Sequence, residues 1–147
     1  MKIILYTLLF VMAMSVNSHE IELDNKTKEE IIDIRMKQMS NINILSQKIY
    51  KQLNSDNYDT LKDNTLKLKH AAIHFQTLFP LNSQGGKAKK IIWEDKELFN
   101  RYNDDFLYDI NFMLVNIEGK NIESLKKSFN KMASNCSSCH KKFKNKK

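Results

Sequence analysis

A single proline, Pro80, and three glycines punctuate a chain of 147 residues, and apolar residues recur along it at intervals of three and four. A chain so poor in the two strongest breakers, with no alternating polar and apolar stretches, is built from helices. Four amphipathic segments emerge. The first opens at Thr27, with Glu30 three residues on as a capping box, and presents Ile32, Met36, Met39, Ile42, Leu45 and Ile49. It ends near Leu53, before the polar turn Asn54-Ser55-Asp56-Asn57. The second runs from about Tyr58 to Leu78, with Leu61, Leu68, Ala72 and Phe75 on one side. Phe79-Pro80 stops it, because proline disfavours helix in the residue before it. The third starts near Trp93-Glu94, carries Phe99, Tyr102, Phe106, Ile110, Met113 and Ile117, and ends at Gly119. The fourth follows Asn121 and carries Ile122, Leu125, Phe129, Met132, Cys136, His140 and Phe143. Four helices of about 20 residues with mostly short links predict an all-α fold, an antiparallel four-helix bundle.

The start of the chain reads differently. Met1-Lys2, a mostly apolar run from Ile3 to Val16 and then Asn17-Ser18 have the layout of a secretory signal peptide over residues 1–18. The run falls short of the roughly 20 apolar residues a spanning helix needs, so stable membrane insertion is not expected. Residues 19–147 then form one exported domain. The chain carries a net charge of +7, and Lys126, Lys127, Lys131, Lys141, Lys142, Lys144, Lys146 and Lys147 crowd its end. Such a surface suits an acidic partner, and it equally complements the dipole of the last helix. Nucleic acid is not an expected partner, since no aromatic residues interleave the lysines.

The chemistry is concentrated in Cys136-Ser137-Ser138-Cys139-His140. Two thiols three residues apart can add across the two vinyl groups of a haem, and the histidine directly after them is placed to bind the iron. A bare Cys-x-x-Cys also serves as a disulfide, a thiol redox pair or half a zinc site. The chain has only two cysteines, so a four-thiolate ribbon is excluded, and the pair sits late in a helical, lysine-rich segment rather than at the start of a helix after a strand. On a helix, Cys136 and His140 share a face with Met132 and Phe129, which predicts one covalently attached haem c lying against the inner side of the last helix. One rival remains: His70 and His74, at i and i+4, could join the two cysteines in a haem-free zinc site. No nucleophile–base–acid arrangement is visible, and the chain is not expected to be an enzyme.

At this point the chain resembles a family, the class II cytochromes c, or cytochrome c-prime family. The resemblance rests on three blocks in order. They are Arg35-Met36-Lys37-Gln38-Met39; Leu78-Phe79-Pro80 with Gly85-Gly86, Ile92-Trp93-Glu94-Asp95 and Phe99; and Cys136 to His140 with Phe143. The chain departs from the family pattern at Ser137-Ser138, where lysine is common, and at Lys144, where arginine is common. The resemblance implies an exported, periplasmic four-helix bundle with His140 as the proximal iron ligand. It implies that Met39 faces the iron from the other side, with Met36 one turn away as the alternative, and that Arg35 approaches a haem propionate. Trp93 and Phe79 are expected to pack the end of the bundle. The function expected first is one-electron transfer between redox partners, with low-spin His/Met-ligated iron. The alternative is a five-coordinate, high-spin iron that binds nitric oxide or carbon monoxide. Monomer and homodimer both fit.

Overall fold

The computed structural model describes residues 23–146 and is helical almost throughout; the leader read at residues 1–18 lies outside the described residues. Helix α1, Lys28–Gln52, begins with the expected capping box. Thr27 Oγ1 accepts from the Glu30 N–H at 3.3 Å, and the Glu30 carboxylate accepts from the Thr27 N–H at 2.7 Å. Helix α2, Tyr58–Thr77, is capped by Asn57, whose Oδ1 accepts from the Thr60 N–H. Proline then diverts the chain into a 3-10 turn, Leu81–Ser83, the Gly85-Gly86 turn and a one-turn helix α3, Ile91–Glu94. Helix α4 spans Lys96–Glu118 and α5 spans Ile122–Phe143, opened by Asp95 and Asn121 respectively. In each case the short polar side chain satisfies a backbone donor that has no partner within the helix.

Two expectations are corrected, and a third, the end of α4 at Gly119, is met with a different local geometry. The third long helix does not begin at Trp93-Glu94. Those residues close the separate turn α3, and Asp95, in a non-helical conformation, caps α4 through a 2.9 Å bond from the Leu98 N–H to its Oδ1. Gly119 does end α4, yet its own φ of −77° is helical, and the left-handed residue is Lys120 at φ 50°. The Asn121 N–H reaches Asn116 O and the Lys120 N–H reaches Ile117 O, a Schellman motif with lysine where glycine is usual. On the first half of α1 the buried residues are Ile31 and Arg35, one position before the expected Ile32 and Met36. Met36 is 49% exposed. The apolar arc there is wide enough to face two ways: Ile31 and Arg35 turn into the bundle, while Ile32, Met36 and Met39 line the wall of a cavity.

The long helices pack in the order α1 on α2, α2 on α4 and α4 on α5. Ile42, Leu45, Leu61, Leu68, Ile110, Met113, Leu125 and Met132 form the central core. Each such side chain contributes about 1.5–3 kcal/mol when fully buried. A second cluster closes one end of the bundle: Leu78, Phe79, Ile92, Phe99 and Phe143. Its rings meet edge to face, Phe99 with Phe79 at 4.7 Å and with Phe143 at 5.3 Å between centroids. The same end is tied by backbone bonds from the Lys89 N–H to Phe143 O and from the Asn145 N–H to Lys87 O, which fix the last turn of α5 against the 85–90 loop. α1 and α5 do not pack closely backbone to backbone, and the cavity lies between them. No helix among the described residues is long and apolar enough to cross a membrane.

Candidate haem site

The cavity has two lobes, of about 240 and 220 Å³. They meet at four residues common to both: Met39 from α1, Phe75 from α2, and Cys139 and His140 from α5. The first lobe runs from this junction toward the aromatic end, past Arg35, Phe79, Phe99 and Phe143. The second runs toward the middle of the bundle, past Ile42, Phe106, Phe129, Met132 and Cys136. The walls are mainly aliphatic and aromatic, as expected of a cofactor cleft.

Helical spacing explains how α5 delivers its residues. Cys136 and His140 are separated by four positions and both reach the second lobe, whereas Ser137 and Ser138 point outward and are exposed. The two thiols are free and half-buried. Burial pushes both above the usual thiol range, Cys139 to about 11, so neither is a thiolate at neutral pH. A thiol redox pair needs the opposite shift. Burial, reinforced by Lys144, holds the His140 imidazole below its usual range, and neutral imidazole is the form that binds a metal.

Arg35, which the resemblance sets beside a haem propionate, is 7% exposed. Nη2 donates to Ser83 O at 2.7 Å, and Cζ stands 4.4 Å from the centroid of Phe79 and 5.3 Å from that of Trp93. Nε and Nη1 have no partner. Burial alone depresses its pKa to about 10. Lys96 lies 5.7 Å from the centroid of the Phe79 ring, and its pKa too is lowered, by burial first and then by Arg35. Two cations beside one ring, with orphaned donors on the one that lines the cavity, call for an anion there. Phe79 and Trp93 pack the bundle end as expected, the Trp93 indole donating to Pro80 O at 2.9 Å. Phe79 also lines the cavity, which sequence reasoning missed.

The zinc alternative finds no support in the geometry. His70 is exposed on α2, His74 is half-buried with Nε2 unpartnered, and among the described residues no group of three or more His, Cys, Asp or Glu is placed to hold a metal ion. A haem suits the donor set better: an apolar cleft, a neutral imidazole, two thiols a turn apart and a guanidinium with two donors lacking an acceptor.

Among curated proteins none matches this chain. Solved structures share its fold. One cytochrome c' has 17% identity and a TM-score of 0.77, covering 82% of this chain and 98% of that one. A ferrous variant of cytochrome c prime from Alcaligenes xylosoxidans with bound nitric oxide gives 19% identity and a TM-score of 0.77, with the same coverage. A carbon monoxide-bound variant from the same organism gives 18% and 0.76, again covering 82% and 98%. The family model described as Cytochrome C' matches residues 30–144, from the first turn of α1 to the residue after α5. With α2, α4, α5 and nearly all of α1 inside that match, the chain belongs to the cytochrome c' family, an all-α four-helix bundle that carries one covalently attached haem c.

Proposed function

We propose that this chain is an exported, periplasmic monohaem cytochrome that binds nitric oxide or carbon monoxide at the face of the haem turned toward α1. Cys136 and Cys139 would anchor the haem by thioethers, and neutral His140 would be its proximal ligand. When bound, the haem supplies an iron that takes up a diatomic ligand in the ferrous state. The protein's part is to orient and enclose it. Apolar walls exclude water, and Arg35 offers Nε and Nη1 to a propionate. The reading rests chiefly on Met39, at the junction of the two lobes and half-exposed to them rather than locked in the core. An unbranched thioether there can swing aside for a small ligand. Solved relatives with nitric oxide or carbon monoxide bound lend it support.

A second reading, low-spin His/Met ligation in a one-electron carrier, is favoured by one observation: Met39 and His140 border the same junction from opposite helices. The ferrous protein decides between them. Ready carbon monoxide binding at neutral pH, with a spectrum that Met39→Ala leaves unchanged, supports the gas-binding reading. A low-spin ferric spectrum with a near-infrared sulfur-to-iron band, abolished by Met39→Ala, overturns it in favour of the carrier. A colourless exported protein overturns both.

A further inference from the structure

Seven lysines fall in two stretches some fifty residues apart that contain no acidic residue: Lys87, Lys89 and Lys90, and Lys141, Lys142, Lys144 and Lys146. Folding brings the stretches together. An isolated antiparallel bridge joins Ala88 to Lys144, the Lys89 N–H bonds Phe143 O, and the Asn145 N–H bonds Lys87 O. The seven account for the whole net charge of the described chain: residues 23–146 hold 22 Lys and Arg against 15 Asp and Glu, and without these seven the balance is 15 to 15. None of the seven forms an ion pair with a described residue.

The dipole of α5 does not explain the group. It accounts for a lysine or two in the last turn, and Lys89 Nζ does donate to Lys141 O at 3.1 Å. Lys87 and Lys90 cap no long helix, and both are exposed. Position is the second observation. Lys87 and Lys144 line the first lobe of the cavity themselves, so the cluster reaches the cavity wall beside the aromatic end. A single-sign field around a cleft mouth raises the encounter rate of a partner of opposite sign and orients it.

We infer that the surface formed by the 85–90 loop and the 141–146 segment is the docking face for an acidic electron-exchange protein, which it seats over the mouth of the haem cleft. The inference rests on the proposed haem for the class of partner; the docking itself rests on the lysines. Complexes of this kind are weak, fast and salt-dependent.

The test uses exported, haem-loaded protein and a plant-type ferredoxin, a small acidic electron-transfer protein, as probe, with binding read by calorimetry. The haem is read separately from the Soret band of the same sample, so a missing cofactor is distinguished from a missing interface. At low salt the parent binds, and affinity falls at least about tenfold as ionic strength approaches 0.2 M. Reversal at Lys87→Glu, Lys90→Glu and Lys142→Glu weakens binding by at least about tenfold, whereas the same charge change at Lys48, Lys51 and Lys127, outside the surface, costs less than about threefold. Glutamine at the first three positions gives an intermediate loss and serves if the reversed variant does not fold. Equal losses from the two sets, no binding by the parent, or binding to phosphatidylglycerol vesicles in preference to the ferredoxin would overturn the proposal.

Discussion

Replacing Arg35 by methionine separates a residue that holds the bundle together from one that waits for an anion. The guanidinium is nearly buried, and burial lowers its pKa to about 10. A cation whose folded pKa lies below its unfolded value opposes folding wherever both states are charged, here at any pH below about 10. At about 1.4 kcal/mol per decade that opposition is about 3 kcal/mol. Two contacts offset it. The 2.7 Å bond to Ser83 O is charge-assisted and worth about 1.5–3 kcal/mol. The Phe79 ring 4.4 Å away adds about 1–2 kcal/mol. The sides largely cancel, so Arg35→Met should change the stability of the haem-free protein by no more than about 2 kcal/mol. In the loaded protein a propionate facing Nε and Nη1 would lose its partner on substitution, at a cost of about 3–5 kcal/mol. Guanidinium chloride unfolding of parent and variant measures both numbers, once in the loaded protein and once with Cys136 and Cys139 changed to serine. If the two losses agree within about 0.5 kcal/mol, the limit of additivity for uncoupled groups, Arg35 has no haem-borne partner and the reasoning fails.

Three further outcomes follow from the packing. Phe99, 1% exposed between Phe79 and Phe143, should lose about 3–5 kcal/mol on change to alanine, and a thermal melt showing a loss under about 1 kcal/mol would mean the aromatic end is loosely packed. Lys120→Gly relieves the left-handed lysine at the end of α4 and should stabilise by about 0.5–1 kcal/mol, whereas destabilisation in urea would show that the lysine's place near the Tyr58 ring outweighs its backbone strain. Asp109 is buried beside Asn135, and desolvation raises its carboxyl pKa in spite of Lys131 3.6 Å away. An acid with a raised folded pKa supports folding below its unfolded value of 3.8 and loses that support as pH climbs through the folded one. Asp109→Asn should therefore flatten the decline of stability with rising pH in that window, and an unchanged or steeper profile would contradict the assignment.

The four long helices could be read from the chain because local rules wrote them. Thr27, Asn57 and Asn121 cap where short polar residues precede apolar periods, and Pro80 ends α2 where it must. The haem motif was equally legible, being a matter of residue type and spacing within one helix. Reading failed where two elements compete for one residue. Nothing in the periodicity around Ile91-Ile92-Trp93-Glu94 could distinguish a continuous third helix from the turn α3 followed by a fresh start at Asp95, since both bury Ile92 and Phe99. Likewise the pattern of α1 did not reveal that Arg35 lies inside beside Phe79 while Met36 lies outside, because burial of a charge depends on the ring and the carbonyl waiting for it.

Helix, caps and thiol spacing thus belong to the primary structure, for they need only neighbours within a turn or two. The junction of Met39 with His140, the orphaned donors of Arg35 and the gathering of Lys87, Lys89 and Lys90 with the C-terminal lysines arise only on folding. Each joins residues dozens of positions apart, and which of them meet is decided by how the helices pack and how the 85–90 loop seals the end of α5.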